Sequence, residues 1–288
     1  MTNKSFKNIQ LRKMNSQLGE TVNYFLSNNN DTILLNDFLN KPVKILYLNE
    51  ILCVNCGKKT KKSFYQGYCY PCFLKCPETA ECVIKPELCR AHLGEGKDID
   101  WERENHDTAH VVYLSLTSGV KVGVTRKTQI PTRWIDQGAI EAVFLAETPN
   151  RYIAGLIECD IAKHITDKTA WQRMLKGDCK PVNLLAEKQR LSTLLNSDYF
   201  QYLSNNDEVT RIEYPLLSVP QKVKSISFDK AQVIEGILTG IKGQYLIFDN
   251  CFVVNIRKHG GYVISIDVSG DNKSKIDEDD SNLQESLF

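Results

Sequence analysis

Two short apolar runs, at 111–116 and 120–124, flank Thr117, Ser118 and Gly119. Both are rich in β-branched residues, and with turn formers between them they predict a β-hairpin. Apolar–polar alternation predicts earlier strands at 21–26 and 43–48, with the turn-forming run Asn28, Asn29, Asn30 and Asp31 between them. Behind the hairpin, 142–146 reads as a third strand. The period then changes: Ile153, Ile157 and Ile161 recur every fourth residue and predict an amphipathic helix over 150–165. Glu158 falls about 100° round from Ile157, at the edge of that stripe. Ala154 and Ala162, one turn on either side, leave space around its carboxylate. Further helices are expected over 168–175 and 183–195. The pattern then returns to strands, at 211–217, 233–238, 244–248, 252–256 and 262–268, with turns marked by Gly240, Gly243, Asp249-Asn250 and Gly260-Gly261.

These elements predict an α+β fold divided into an N-terminal β subdomain (1–50), a cysteine-rich region (51–107), a mixed module (108–200), a C-terminal β domain (201–270) and a disordered acidic tail (271–288). The net charge of +1 means that no global basic field announces a nucleic-acid partner, so any such contact must be local. Lys242, Arg257 and Lys258 are open to two readings, phosphate contacts or solvated loop charges. No apolar run approaches the roughly 20 residues that span a bilayer, so no membrane partner is expected. The N-terminus lacks the apolar core of a signal peptide, which points to a cytoplasmic protein with reduced thiols.

Ten cysteines then need explaining, and seven of them fall between 53 and 89, which points to metal rather than disulfides. Cys53 and Cys56 form one CxxC pair, and Cys69 and Cys72 form another. Two such knuckles at this separation predict a zinc ribbon holding one structural Zn2+. Cys76, Cys82, Cys89 and His92 make a candidate second zinc set, in which His106 or His110 could replace His92. A stretch so poor in apolar surface needs metal to fold. Beside the ribbon, Lys58, Lys59, Lys61 and Lys62 precede Phe64, Tyr65, Tyr68, Tyr70 and Phe73. The segment suits phosphate contact with base stacking, or else the aromatics simply pack the ribbon.

The order of tyrosine strand, turn, Lys-Val-Gly strand, arginine and distal helical glutamate resembles the GIY-YIG nuclease superfamily, in the branch whose second motif reads K-[IV]-G. The resemblance covers about 108–165 and implies a GIY-YIG-like α/β module with an N-terminal zinc ribbon and small flanking β domains. It implies catalytic roles for four residues. Tyr113 matches the first motif's tyrosine, and Lys121 stands where the best-studied nucleases have a second tyrosine. Arg133 matches the arginine that steadies the scissile phosphate, and Glu158 the glutamate that holds one Mg2+ or Mn2+. Arg126 lies in the loop after the hairpin and is a further candidate nucleic-acid contact. The whole chain also resembles an uncharacterised bacterial zinc-ribbon family, through KTKKSF…QGYCYPCF, KVGVT…RWIDQGA, DKT-x-W and GIKGQYL. The last five residues, with Gln284, Leu287 and Phe288, resemble the bacterial sliding-clamp-binding pentapeptide. The function implied is a metal-dependent endonuclease acting on DNA or RNA in DNA repair or replication and recruited by the clamp. The competing reading is a non-catalytic, zinc-dependent nucleic-acid-binding adaptor.

Overall fold

A computed structural model describes residues 3–28, 31–165 and 170–270. The tail with Gln284, Leu287 and Phe288 lies outside the described residues, as do Asn29, Asn30 and the start of the helix expected at 168–175.

The first third supplies β1 (Lys4–Gln10), β2 (Asn15–Gln17), β3 (Asn23–Asn28), β4 (Asp31–Leu34) and β5 (Pro42–Ile51). The cysteine region holds short 3-10 turns and two helices, α1 (Tyr70–Lys75) and α2 (Ile99–Asn105). Then come β6 (His110–Leu116), β7 (Val120–Arg126), α3 (Thr132–Asp136), β8 (Glu141–Thr148), α4 (Arg151–Ala162), α5 (Trp171–Leu175), α6 (Leu184–Leu194) and β9 (Thr210–Arg211). The last part adds β10 (Lys224–Ile226), β11 (Val233–Lys242), β12 (Tyr245–Phe248), β13 (Phe252–Asn255) and β14 (Tyr262–Val268). The architecture is mixed, several sheets with few helices, and is compatible with an α+β class.

Among the described residues, the largest sheet runs β1-β14-β5-β11-β12-β13-β10, so the two ends of the chain share one sheet. A small β2-β3-β4 sheet packs beside it. A four-stranded sheet, β7-β6-β8-β9, carries the expected hairpin at its heart. All seven residues of β6 are buried because both of its faces are covered. Val111 and Tyr113 point into the core shared with the large sheet, while Val112, Leu114 and Leu116 pack with Ile157 and Ile161 of α4 and Leu184 and Leu191 of α6. Asn150 caps α4 by accepting from the Ile153 amide at 3.1 Å.

Three expectations for the C-terminal part, one strand, one turn and one charge, differ. The strand expected at 211–217 is only β9 plus one bridge, Leu216 to Gly240, because Pro215 has no N–H to give a ladder. Gly240 marks no turn; it lies inside β11, where a Cβ would stand 2.5 Å from the Leu216 side chain. Lys242 is no solvated loop charge, being buried at 3% exposure with its ammonium 5.2 Å over the Tyr214 ring.

Burial lowers the Lys242 pKa to about 8. Between there and the ordinary lysine value the unfolded chain holds the extra proton, so the wild type gains stability as pH rises through that window. Lys242→Met is therefore expected to be the more stable protein at pH 7, by on the order of 1–3 kcal/mol. Its advantage should narrow toward pH 10 in thermal unfolding; equal stability at both pH values contradicts this account.

A basic cleft beside two cysteine clusters as the candidate functional site

The register of β6 on β7 sets Tyr113 opposite Gly123. The tyrosine ring crosses the neighbouring strand there, and a Cβ on Gly123 would lie 2.6 Å from the hydroxyl oxygen. Only glycine leaves that path open. The ring is fully buried, edge-on to Trp134 at 6.0 Å, and its hydroxyl donates to Gln137 Oε1 at 2.8 Å. The Arg133 guanidinium lies close enough to act electrostatically on the same hydroxyl. Burial raises the Tyr113 pKa, and Arg133 opposes that rise. Trp134 and Ile135 anchor α3 in the core, which turns Arg133 and Gln137, four residues apart, to the other side.

Across from α3, the buried Ile157 and Ile161 fix α4 on the sheet and leave Glu158 at the border. Burial raises the Glu158 pKa to about 7, while Arg151, Arg133 and Lys121 pull it back. The four residues singled out by the resemblance thus lie within electrostatic reach of one another. Arg133 and Glu158 act on Tyr113, and Lys121 acts on Glu158.

Of the four, Arg133 lines a cleft of about 1140 Å³, larger than a typical small-molecule pocket, while Tyr113, Lys121 and Glu158 are not among its lining residues. Seven cations line it: Arg12, Lys13, Arg126, Arg133, Arg151, Arg257 and Lys258. Against them stand Glu78 and Asp136, and Asp136 is already engaged by Lys13 at 3.1 Å and by Gln244 at 2.8 Å. Burial lowers the pKa of both Arg151 and Arg257, and the Arg133 charge lowers them further. Arg126 is anchored by Asn105. The four lysines Lys58, Lys59, Lys61 and Lys62 are exposed and do not line this cleft. Lys59 pairs with Glu50 at 3.2 Å, and Lys62 lies 5.2 Å over Phe64. Phe64 packs on Tyr70 and Phe73, and Tyr65 on Phe73, while Tyr65 and Tyr68 also line the cleft.

The expected first cysteine set converges. One sulfur each from Cys53, Cys56, Cys69 and Cys72 lie within 4.8 Å of one another. Cys56 and Cys69 are 3.8 Å apart, the edge of a tetrahedron with metal–sulfur bonds of about 2.3 Å. Gly57 takes a positive φ of 70° and lets the first knuckle close, its amide donating to the Cys53 carbonyl at 2.9 Å. Burial pushes the Cys53 thiol up, but amides of Cys56, Cys69 and Asn55 outweigh it and bring the pKa down to about 6.

The second set needs correction. Cys82 and Cys89 do converge, but with Glu102 and His106 rather than Cys76 and His92. Cys76 lies by Cys72, where burial raises its thiol pKa, and His92 stacks on Tyr152 at 4.6 Å. His110, the other alternative, bonds the Thr108 carbonyl at 2.7 Å through Nδ1 and sits buried in β6. Either of the two clusters can hold a metal ion. Arg12, Lys13, Arg151, Gln137 and Glu102 were missed in the sequence. Glu102 and His106 carry a legible signal, because a spacing of four brings two side chains to one helical face. Arg151 follows a helix cap and Arg12 and Lys13 follow a strand, positions at which charge is ordinarily solvated.

A family model described as Protein of unknown function (DUF2797) matches residues 40–264. The chain belongs to that family. No curated protein and no solved structure matches the DUF2797 chain.

In this DUF2797 chain, Gly123→Ala drives a methyl into the Tyr113 hydroxyl and is expected to cost about 1–3 kcal/mol. Adding Tyr113→Phe to it removes one of the two atoms struck, the other being the ring Cζ at 2.7 Å, and should return part of that loss in denaturant unfolding; strictly additive losses argue against the contact.

Proposed function

We propose that the cleft grips the phosphate backbone of DNA or RNA and that the chain is a metal-dependent endonuclease of the GIY-YIG type. The reading rests on one observation above all. Tyr113, Lys121, Arg133 and Glu158 lie within electrostatic reach of one another, and Arg133 among them lines a cleft that holds seven cations. Like charges so close are each costly, and a polyanion relieves them together.

The residues have separable tasks. Arg133 offers a planar fork that can hold two oxygens of one phosphate. Tyr113 orients that fork through its hydroxyl; buried and with its pKa raised, it is a poor proton acceptor. Lys121, on the strand facing Glu158, is left as the group to move a proton at the attacking water. The GIY-YIG resemblance makes Glu158 the carboxylate to hold a divalent cation. One carboxylate with phosphate oxygens and water suits Mg2+ or Mn2+, which when bound supplies charge neutralisation at the leaving oxygen. The Cys53, Cys56, Cys69 and Cys72 cluster would carry a structural zinc. Docking on a bacterial sliding clamp through Gln284, Leu287 and Phe288 would bring the enzyme to DNA under repair or replication.

The non-catalytic adaptor is the second reading, favoured by the burial of Tyr113 and by a lysine in place of the second tyrosine. Nicking of duplex, flapped, branched and single-stranded substrates by the pure zinc-loaded protein separates the two. The enzyme predicts Mg2+- or Mn2+-dependent cleavage that falls at least about 100-fold in Glu158→Ala and in Arg133→Ala. Absence of cleavage on every substrate, with salt-sensitive binding that survives Glu158→Ala, leaves the adaptor. Deleting 284–288 should abolish clamp binding and leave cleavage intact; clamp binding undiminished by the deletion removes that partner.

A further inference from the structure

The Cys82, Cys89, Glu102 and His106 cluster lies next to Arg151, whose guanidinium bonds the Cys82 carbonyl and lines the cleft. Cys89, Glu102 and His106 are buried, at 1%, 3% and 4% exposure. Cys82 Sγ and His106 Nδ1 are 3.7 Å apart, close to the edge of a tetrahedron built on metal–sulfur and metal–nitrogen bonds of about 2.3 and 2.0 Å. Glu102 reaches the same imidazole nitrogen. The chain passes so tightly over it that a Cβ on Gly96 would lie 2.5 Å from its Cγ. A carboxylate buried among two thiols and an imidazole is costly without a cation. A Zn2+ on two thiolates, one imidazole and one carboxylate answers all four groups at once.

The same loop has little else to hold it. Ile84, Leu88 and Leu93 are exposed at 69%, 47% and 57%, so no apolar core of its own sets its shape. Nevertheless it grips α4 at its first two turns. The Arg151 amide donates to the His106 carbonyl at 2.8 Å. The Arg151 guanidinium donates to the Cys82 and Val83 carbonyls at 2.9 Å each. His92 stacks on Tyr152. At Gly155 the backbones touch, and a Cβ there would lie 2.2 Å from the Glu87 nitrogen.

We infer that Cys82, Cys89, Glu102 and His106 bind a second zinc ion, and that this ion, by shaping the 82–93 loop, sets the position of α4 and of the Arg151 guanidinium in the cleft. The inference stands whether the cleft cuts nucleic acid or only binds it. Linkage makes the coupling reciprocal: a change that pries α4 from the loop must loosen the metal by the same factor.

The test uses the full chain. Elemental analysis should give two zinc equivalents for the wild type and one for Cys89→Ser. In the one-zinc variant, amides 153–161 should lose about tenfold or more of their exchange protection, while β5 and β14 keep theirs. Gly155→Ala touches no ligand, so it tests the coupling separately. With cadmium in both sites, resolved by cadmium NMR as four-thiolate and two-thiolate signals, it should weaken the second site about tenfold and leave the first unchanged. One zinc equivalent in the wild type overturns the site. Unchanged metal affinity in Gly155→Ala, or unchanged α4 protection in Cys89→Ser, overturns the coupling, as does protection lost equally in β5 and β14.

Discussion

The cleft depends on one strand that has no free face. In β6, Val111 and Tyr113 belong to one core and Val112, Leu114 and Leu116 to the other. A slip of one residue would exchange the two sets and send Tyr113 toward α4. Burial on both sides therefore fixes the register, the register puts the tyrosine at Gly123, and the tyrosine hydroxyl holds Gln137 at the end of the short helix that carries Arg133, whose charge it feels. The position of the guanidinium is thus decided by apolar packing several residues away from any charge.

The charge of the cleft is likewise a product of assembly. The net charge of +1 conceals it, because acidic residues elsewhere cancel the sum. Arg12 and Lys13 arrive from beyond β1, Arg126 from the end of β7, Arg151 from α4, and Arg257 and Lys258 from the turn before β14. Several are fixed by a neutral or opposing partner: Arg12 by the Val54 carbonyl at 2.7 Å, Arg257 by Gln66 Oε1 at 2.6 Å, Lys13 by Asp136. Such anchoring keeps mutually repelling groups on one surface, the condition for gripping a backbone of phosphates rather than a single anion.

Whatever is local was legible in the sequence. The hairpin, the isoleucine stripe of α4 with Glu158 at its border, and the first four cysteines all follow from spacing within one element or one pair of knuckles. What was hidden is what the tertiary fold decides. The spacing of four pairs Glu102 with His106, but it does not say that this pair, rather than His92 or His110, folds back onto Cys82 and Cys89. The choice of His106 with Glu102 depends on α2 docking over the loop, and His92 is drawn instead to Tyr152. The exposed run of lysines beside the ribbon drew notice because its charges are consecutive. The cations that share the cleft were inconspicuous because they are scattered from Arg12 to Lys258. Pairing of β1 with β14 joins the two ends of the chain and has no local signature.

The most direct test of a cleft built for a phosphate backbone is a crystal structure of the full chain with a cleavage-resistant phosphorothioate oligonucleotide. The account predicts a backbone phosphate on the Arg133 guanidinium, with the strand continuing past Arg151 toward Arg257. A strand lying over Lys58, Lys59, Lys61 and Lys62 with the cleft unoccupied would contradict it.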